Sequence, residues 1–168
     1  MGRTRTAPAS FAQERLWFID RLEPGSAVYN MPIAWRLEGA LDAVALERAL
    51  GEIVRRHEAL RTTFSEAGGS PVQVIAPFGG FSLPVEDLSE VDEADREAAL
   101  ARRACEEARR PFDLAAGPLF GATLLRLGEE DHVLLLSMHH VGRCWGWSGW
   151  AWRTTSSSWA ATRCSVPA

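Results

Sequence analysis

The sequence predicts an α+β fold, a mixed, largely antiparallel sheet flanked by helices, and three observations carry that expectation. Segments with a 3.6-residue apolar period and segments with a 2-residue period follow one another as αβαββ(β)αββ, not in the strict βα alternation of a parallel sheet. The stretch "PLFGATLLRLGEEDHVLLLSMHHV" holds two apolar runs joined through a turn at Gly128, the pattern of adjacent strands. Finally, 168 residues, 46% apolar and 24% charged, suffice for one domain that buries roughly 70% of its unfolded surface.

Each element has its own local reason. Ser10 with Gln13 three residues on forms a capping-box pattern, and Ala12, Leu16, Ile19 and Leu22 recur at helical spacing until Pro24-Gly25. Trp17 on that helix is expected to pack inward. In "YNMPIAWRLEG" the residues Met31, Ile33, Trp35 and Leu37 alternate, which predicts a strand with one buried face, and Pro32 confines it to a strand start or a sheet edge. Asp42 can cap a second helix carrying Leu46, Leu50, Ile53 and Leu60. "TTFSEAGGSPVQVI" predicts a hairpin turning at Gly68-Gly69, and a short strand follows near Leu83 to Val85. The Ala-, Glu- and Arg-rich "DEADREAALARRACEEARR" predicts a helix stopped by Pro111. The last strand is nearly continuous in apolar residues, so it belongs in the middle of the sheet.

Composition removes several classes of function. The net charge is −4, and all 18 basic residues are Arg, a bias of GC-rich coding; neither gives a reason to expect nucleic acid. No apolar run approaches the ~20 residues of a membrane span, and "MGRTRTAPAS" lacks the apolar stretch of a signal peptide, so the cytoplasm is expected. Cys105, Cys144 and Cys164 form no CxxC pair and read as incidental thiols. A zinc site from His132, His139, His140 and Cys144 would match no common ligand spacing, so no metal is expected.

Two adjacent histidines at a strand end face opposite ways if the strand continues regularly, so one packs inward and the other is available for chemistry. Three separated stretches place that pair in a context. "SFAQERLWFIDRL", through Ser10, Ala12, Gln13, Arg15, Leu16 and Trp17, resembles the opening helix motif of the condensation domains of nonribosomal peptide synthetases. "RHEALRTTF", from Arg56 to Phe64, resembles a second motif of that family, and "MHHV", from Met138 to Val141, resembles the start of its H-H-x-x-x-D-G signature. The phrases "EPGSAVYNMP", "PFDL" and "GPLF" lie between them in the family's order.

The resemblance implies a chloramphenicol acetyltransferase-like half-domain, the N-terminal one of two subdomains that form a V around a tunnel. It implies amide-bond formation between a donor acyl or peptidyl thioester on one carrier protein and the amine of an aminoacyl thioester on another. His140 maps to the second His of the signature and would accept a proton or hold the amine and the tetrahedral intermediate. His139 takes the inward, structural role, while Arg56, His57, Arg61 and Thr62 would shape the tunnel wall, Arg61 as a structural or substrate-facing cation. Without the resemblance, Arg56 and Glu52 read as a solvated i,i+4 pair. No cofactor is expected to bind directly, since phosphopantetheine arrives on the carrier proteins; these and the C-terminal condensation subdomain are the implied partners. A coenzyme A-dependent acyltransferase, an epimerisation-domain relative and a non-catalytic carrier-binding remnant stand as alternatives. A heterocyclisation domain is disfavoured, because aspartates replace the His pair there.

The signature then breaks off. H-H-x-x-x-D-G places an Asp at position 144 and a Gly at 145, where this chain has Cys144 and Trp145. From Gly142 to Ala168 there are five of the seven Trp, no Asp or Glu, and one aliphatic residue, Val166. GC-rich DNA translated out of frame yields such a composition. The expected organisation is therefore an N-terminal condensation subdomain over 8–141 and an aberrant, out-of-frame and disordered tail over 142–168. The chain alone is expected to be an incomplete, inactive fragment.

Overall fold

The computed structural model describes residues 2–144, with side chains through 142. The expected helices form at the expected places. Helix α1 (Phe11–Leu22) opens on the complete capping box: Gln13 N donates to Ser10 Oγ at 3.3 Å, and Ser10 N donates to Gln13 Oε1 at 2.9 Å. Asp42 caps α2 (Ala43–Arg56) by accepting from Val44 N and Ala45 N. Helix α3 (Glu93–Arg109) stops just before Pro111, and the Asn30 amide donates to the carbonyls of Ala108 and Arg110 at its end, at 2.9 and 2.8 Å. Carbonyls at a helix end lack helical partners, so this contact satisfies two of them.

The strands divide between two sheets, where the sequence pattern predicts a single one. Strand β1 (Arg5–Pro8) pairs antiparallel with β4 (Ser70–Ile75), which pairs antiparallel with β3 (Thr62–Ala67) in the expected Gly68-Gly69 hairpin. The larger sheet runs in the order β2 (Asn30–Glu38), β7 (Asp131–His139), β6 (Phe120–Arg126), β5 (Val85–Asp87), and only the β5–β6 pair is parallel. Pro32 thus sits in an edge strand and β7 is central, as its composition requires. Strand β1 is not expected from the sequence, because "RTAP" is too short and polar to show a period. The strand expected at Leu83 to Val85 runs instead over Val85–Asp87, because Leu83 is a core anchor ahead of the pairing segment.

Three apolar clusters hold the layers. On one face of the larger sheet Leu50 and Val54 of α2 pack on Leu124, Leu134, Leu136 and Met138; on the other Leu100 and Ala104 of α3 pack on Leu125, Val133 and Leu135. The third gathers Leu16, Phe64, Phe112, Leu114, Leu119 and Val141, and so joins α1 and the smaller sheet to the end of β7. Trp17 packs at its margin beneath the Arg21 guanidinium, 5.0 Å from the ring centre. Cys105 lies on α3. Among the described residues no helix is long and apolar enough to cross a membrane, and no group of His, Cys, Asp and Glu is placed to hold a metal ion. The tail from 145 onward, with its Trp cluster, lies outside the described residues.

Candidate functional site

Strand β7 ends at His139, and His140 opens a 3-10 turn (His140–Cys144). The pair therefore straddles a strand-to-turn junction and does not lie within one regular strand. His139 is buried, 2% exposed, on the sheet face that carries Ser137. Its ring meets Tyr29 and Phe112 edge-on, each with centroids 6.2 Å away. Val141 N donates to His139 Nδ1 at 3.2 Å, which assigns the ring proton to Nε2 in the neutral form. Burial first, and the neighbouring His140 second, push the His139 pKa down to about 4, so the ring is neutral at pH 7.

His140 is half-buried. Its N–H donates to Tyr29 O at 2.8 Å, while its Nδ1 is shielded from solvent and has no hydrogen-bond partner among the described residues. Among the described residues no carboxylate holds this Nδ1, so the arrangement differs from a nucleophile–His–Asp triad. An imidazole placed here can take a proton or direct a polar hydrogen, which is the chemistry of a general base or a positioning group.

Met138 and Gly142, two residues before and two after His140, line a cavity of about 220 Å³. Its other walls include Arg56, His57, Glu58, Thr62 and Gln73, so the second sequence motif meets the residues that flank the His pair, while neither His139 nor His140 is part of this lining. Arg56 keeps 69% of its side chain exposed and pairs with Glu52 at 2.6 Å, as its helical spacing predicted. His57 closes α2 through its N–H to Ile53 O at 2.9 Å. Arg61 is outside this lining: its guanidinium donates to the Ala76 carbonyl and to Glu58 Oε1, bracing the turn after α2 against the end of β4. Thr62 Oγ1 donates to Glu58 O at 2.7 Å and is buried.

Several contributors at this junction were not anticipated. Gln73, 3% exposed, donates from Nε2 to Pro8 O at 2.8 Å and faces Gln13, 1% exposed, whose Nε2 lies 3.4 Å from Gln73 Oε1 and 3.5 Å from Val141 O. Ser137 Oγ donates to buried Glu107 Oε1 at 2.7 Å, and Arg110 sits 3.4 Å from the same oxygen. Gln13 carried a signal only as half of a capping box. Gln73 carried none, since it occupies an inward position between two valines.

A largely antiparallel sheet covered by helices on both faces, its central strand running into the His pair, is the α+β arrangement expected of a chloramphenicol acetyltransferase-like half-domain. Residues 3–148 match the condensation domain family, and the chain belongs to that family. It is 51% identical over 146 residues to one of the subunits of linear gramicidin synthase of Brevibacillus parabrevis, covering 87% of this chain and 2% of that protein. It is also 51% identical over 141 residues to chondramide synthase cmdD of Chondromyces crocatus, covering 84% of this chain and 4% of that protein. The starter condensation domain of rhizomide synthetase superposes with a TM-score of 0.73 at 29% identity, over 82% of this chain and 33% of that one; a mutant of it has been solved in complex with C8-CoA. The chain thus spans a few per cent of the curated relatives it matches and a third of the solved domain.

Proposed function

We propose that this chain contributes the His-bearing lobe to amide-bond formation between carrier-bound thioesters in nonribosomal peptide synthesis. The observation that carries the reading is the convergence of segment 56–62 on one cavity with Met138 and Gly142, the residues that flank His140 in the chain. In this reading His140 accepts the proton of the attacking amine or holds the amine against the thioester carbonyl, and His139 stays neutral and structural. Arg56 and His57 shape the cavity wall, and Arg61 supports it from outside. Carrier proteins deliver the phosphopantetheine-tethered substrates, and a second lobe of the same family supplies the opposite tunnel wall, because holding two arms in register requires both. The domain limits of 8–141 and a tail out of frame after Val141 belong to this proposal, as does the inactivity of the chain by itself.

The C8-CoA complex of the rhizomide relative favours a second reading, in which the donor is an acyl group on coenzyme A instead of a carrier protein. One experiment addresses both. Residues 3–141 are grafted into an intact condensation domain and supplied with an aminoacyl acceptor and either donor. Amide product from the carrier-bound donor, reduced about 100-fold or more by His140→Ala, is expected. Product indifferent to His140→Ala overturns the assignment, and product from acyl-coenzyme A alone replaces the first reading by the second.

A further inference from the structure

We infer that Gln13, seated by Gln73, is a positioning residue for His140. Every polar atom of this amide pair has a compatible partner. Gln13 Oε1 must accept from Ser10 N, which turns Nε2 toward both Val141 O and Gln73 Oε1; Gln73 Nε2 must donate to Pro8 O, which turns its Oε1 back toward Gln13. Flipping either amide sets oxygen against oxygen. The relay ends on the carbonyl of Val141, the residue after His140, which is itself fully buried and whose N–H is already held by His139 Nδ1. With His140 N bound to Tyr29 O, the backbone around His140 is held from both sides, and Gln13 holds it through the Val141 carbonyl. Gln73 meanwhile forms part of the cavity wall, so the same pair couples the wall to the histidine turn.

The catalytic consequence rests on the proposed role of His140, but the positioning is measurable without turnover. In the full chain, Gln13→Glu retains the oxygen that caps α1 and removes the donor to Val141 O. Relative to the amides of Leu125 and Leu135, which report global opening, the Val141 amide should exchange about fivefold or more faster in this variant. The ring nitrogen NMR shifts of His139 should move from one tautomer toward a mixture. Gln73→Leu, which leaves the cap untouched, should change both readouts in the same direction and serves where Gln13→Glu does not fold. Unchanged relative exchange and an unchanged His139 tautomer in a folded variant overturn the inference. Indifference of the grafted domain to His140→Ala would instead remove the function assigned to the histidine while leaving the positioning result standing.

Discussion

His139 binds its proton less readily in the folded chain than an ordinary histidine does, and this has a consequence for stability. Its pKa lies at about 4 against 6.5 in the unfolded chain, through burial and then the adjacent His140. Between those values the unfolded state takes up a proton that the native state refuses, so this contribution is complete above about pH 6.5 and declines as the pH falls toward 4. The loss is at most ~3 kcal/mol. His139→Asn keeps an acceptor near Val141 N while removing the titration. Urea unfolding between pH 7 and pH 4.5 should show a flatter stability profile for this variant than for the wild type; parallel profiles would show that His139 titrates normally. Arg56 offers the opposite case. Its pairing with Glu52 is solvent-exposed and screened, so Arg56 is weighed by its place beside the cavity, not by its ion pair.

At the scale of elements, the smaller sheet and the segment after α3 are built on one another. Phe64 N of β3 donates to Leu114 O at 2.7 Å, and Asp113 Oδ1 accepts from the amides of Ala115 and Ala116, closing the turn that leads into β6. Gly117 at the end of that turn has φ of +60°, and a Cβ there would come within 2.6 Å of Thr63 Cγ2. Gly117→Ala should therefore cost about 2 kcal/mol or more, from the left-handed backbone and the clash together. Chemical denaturation of Gly117→Ala in wild-type and Thr63→Ala backgrounds separates the two: Thr63→Ala should recover the clash alone. Helices and the β6–β7 hairpin were legible because caps and apolar periods are local. The second sheet was not, because its membership is decided by β1, which has no pattern of its own. In β4 the local signal even points the wrong way: alternation would turn Val72 and Val74 inward, yet Pro71 and Gln73 are the buried residues. The amide of Gln73 is worth burying only because Gln13 and Pro8 wait 60 and 65 residues away. The His pair and the "RHEALRTTF" motif were visible as residue types, whereas the meeting of that motif with Met138 and Gly142, on either side of the pair, at one cavity depends on how α2 crosses the sheet.

On the scale of the whole molecule, the question is whether two sheets make two units or one. The larger sheet has both faces covered by helices and needs nothing from the smaller one to bury its apolar residues. The smaller sheet has no such independence: Phe64, its 1% exposed anchor, buries against residues that lead into β6 and against Val141 at the end of β7. Val141 is therefore a structural joint as well as the neighbour of His140, and it is fully buried. Val141→Ala removes two methyl groups from a site that α1, β3 and the Phe112–Leu119 segment all enclose, a loss of about 2 kcal/mol. If the joint makes the molecule one cooperative unit, amides of β3 and β4 and amides of β6 and β7 should lose the same protection in hydrogen exchange. Faster exchange confined to β3 and β4 would show instead that the smaller sheet opens by itself. The single-unit outcome has a functional corollary, since the cavity takes Thr62 and Gln73 from the smaller sheet and Met138 from the larger. A rigid joint at Val141 would keep those walls at a fixed distance from His140, as the proposed positioning of two thioester arms demands.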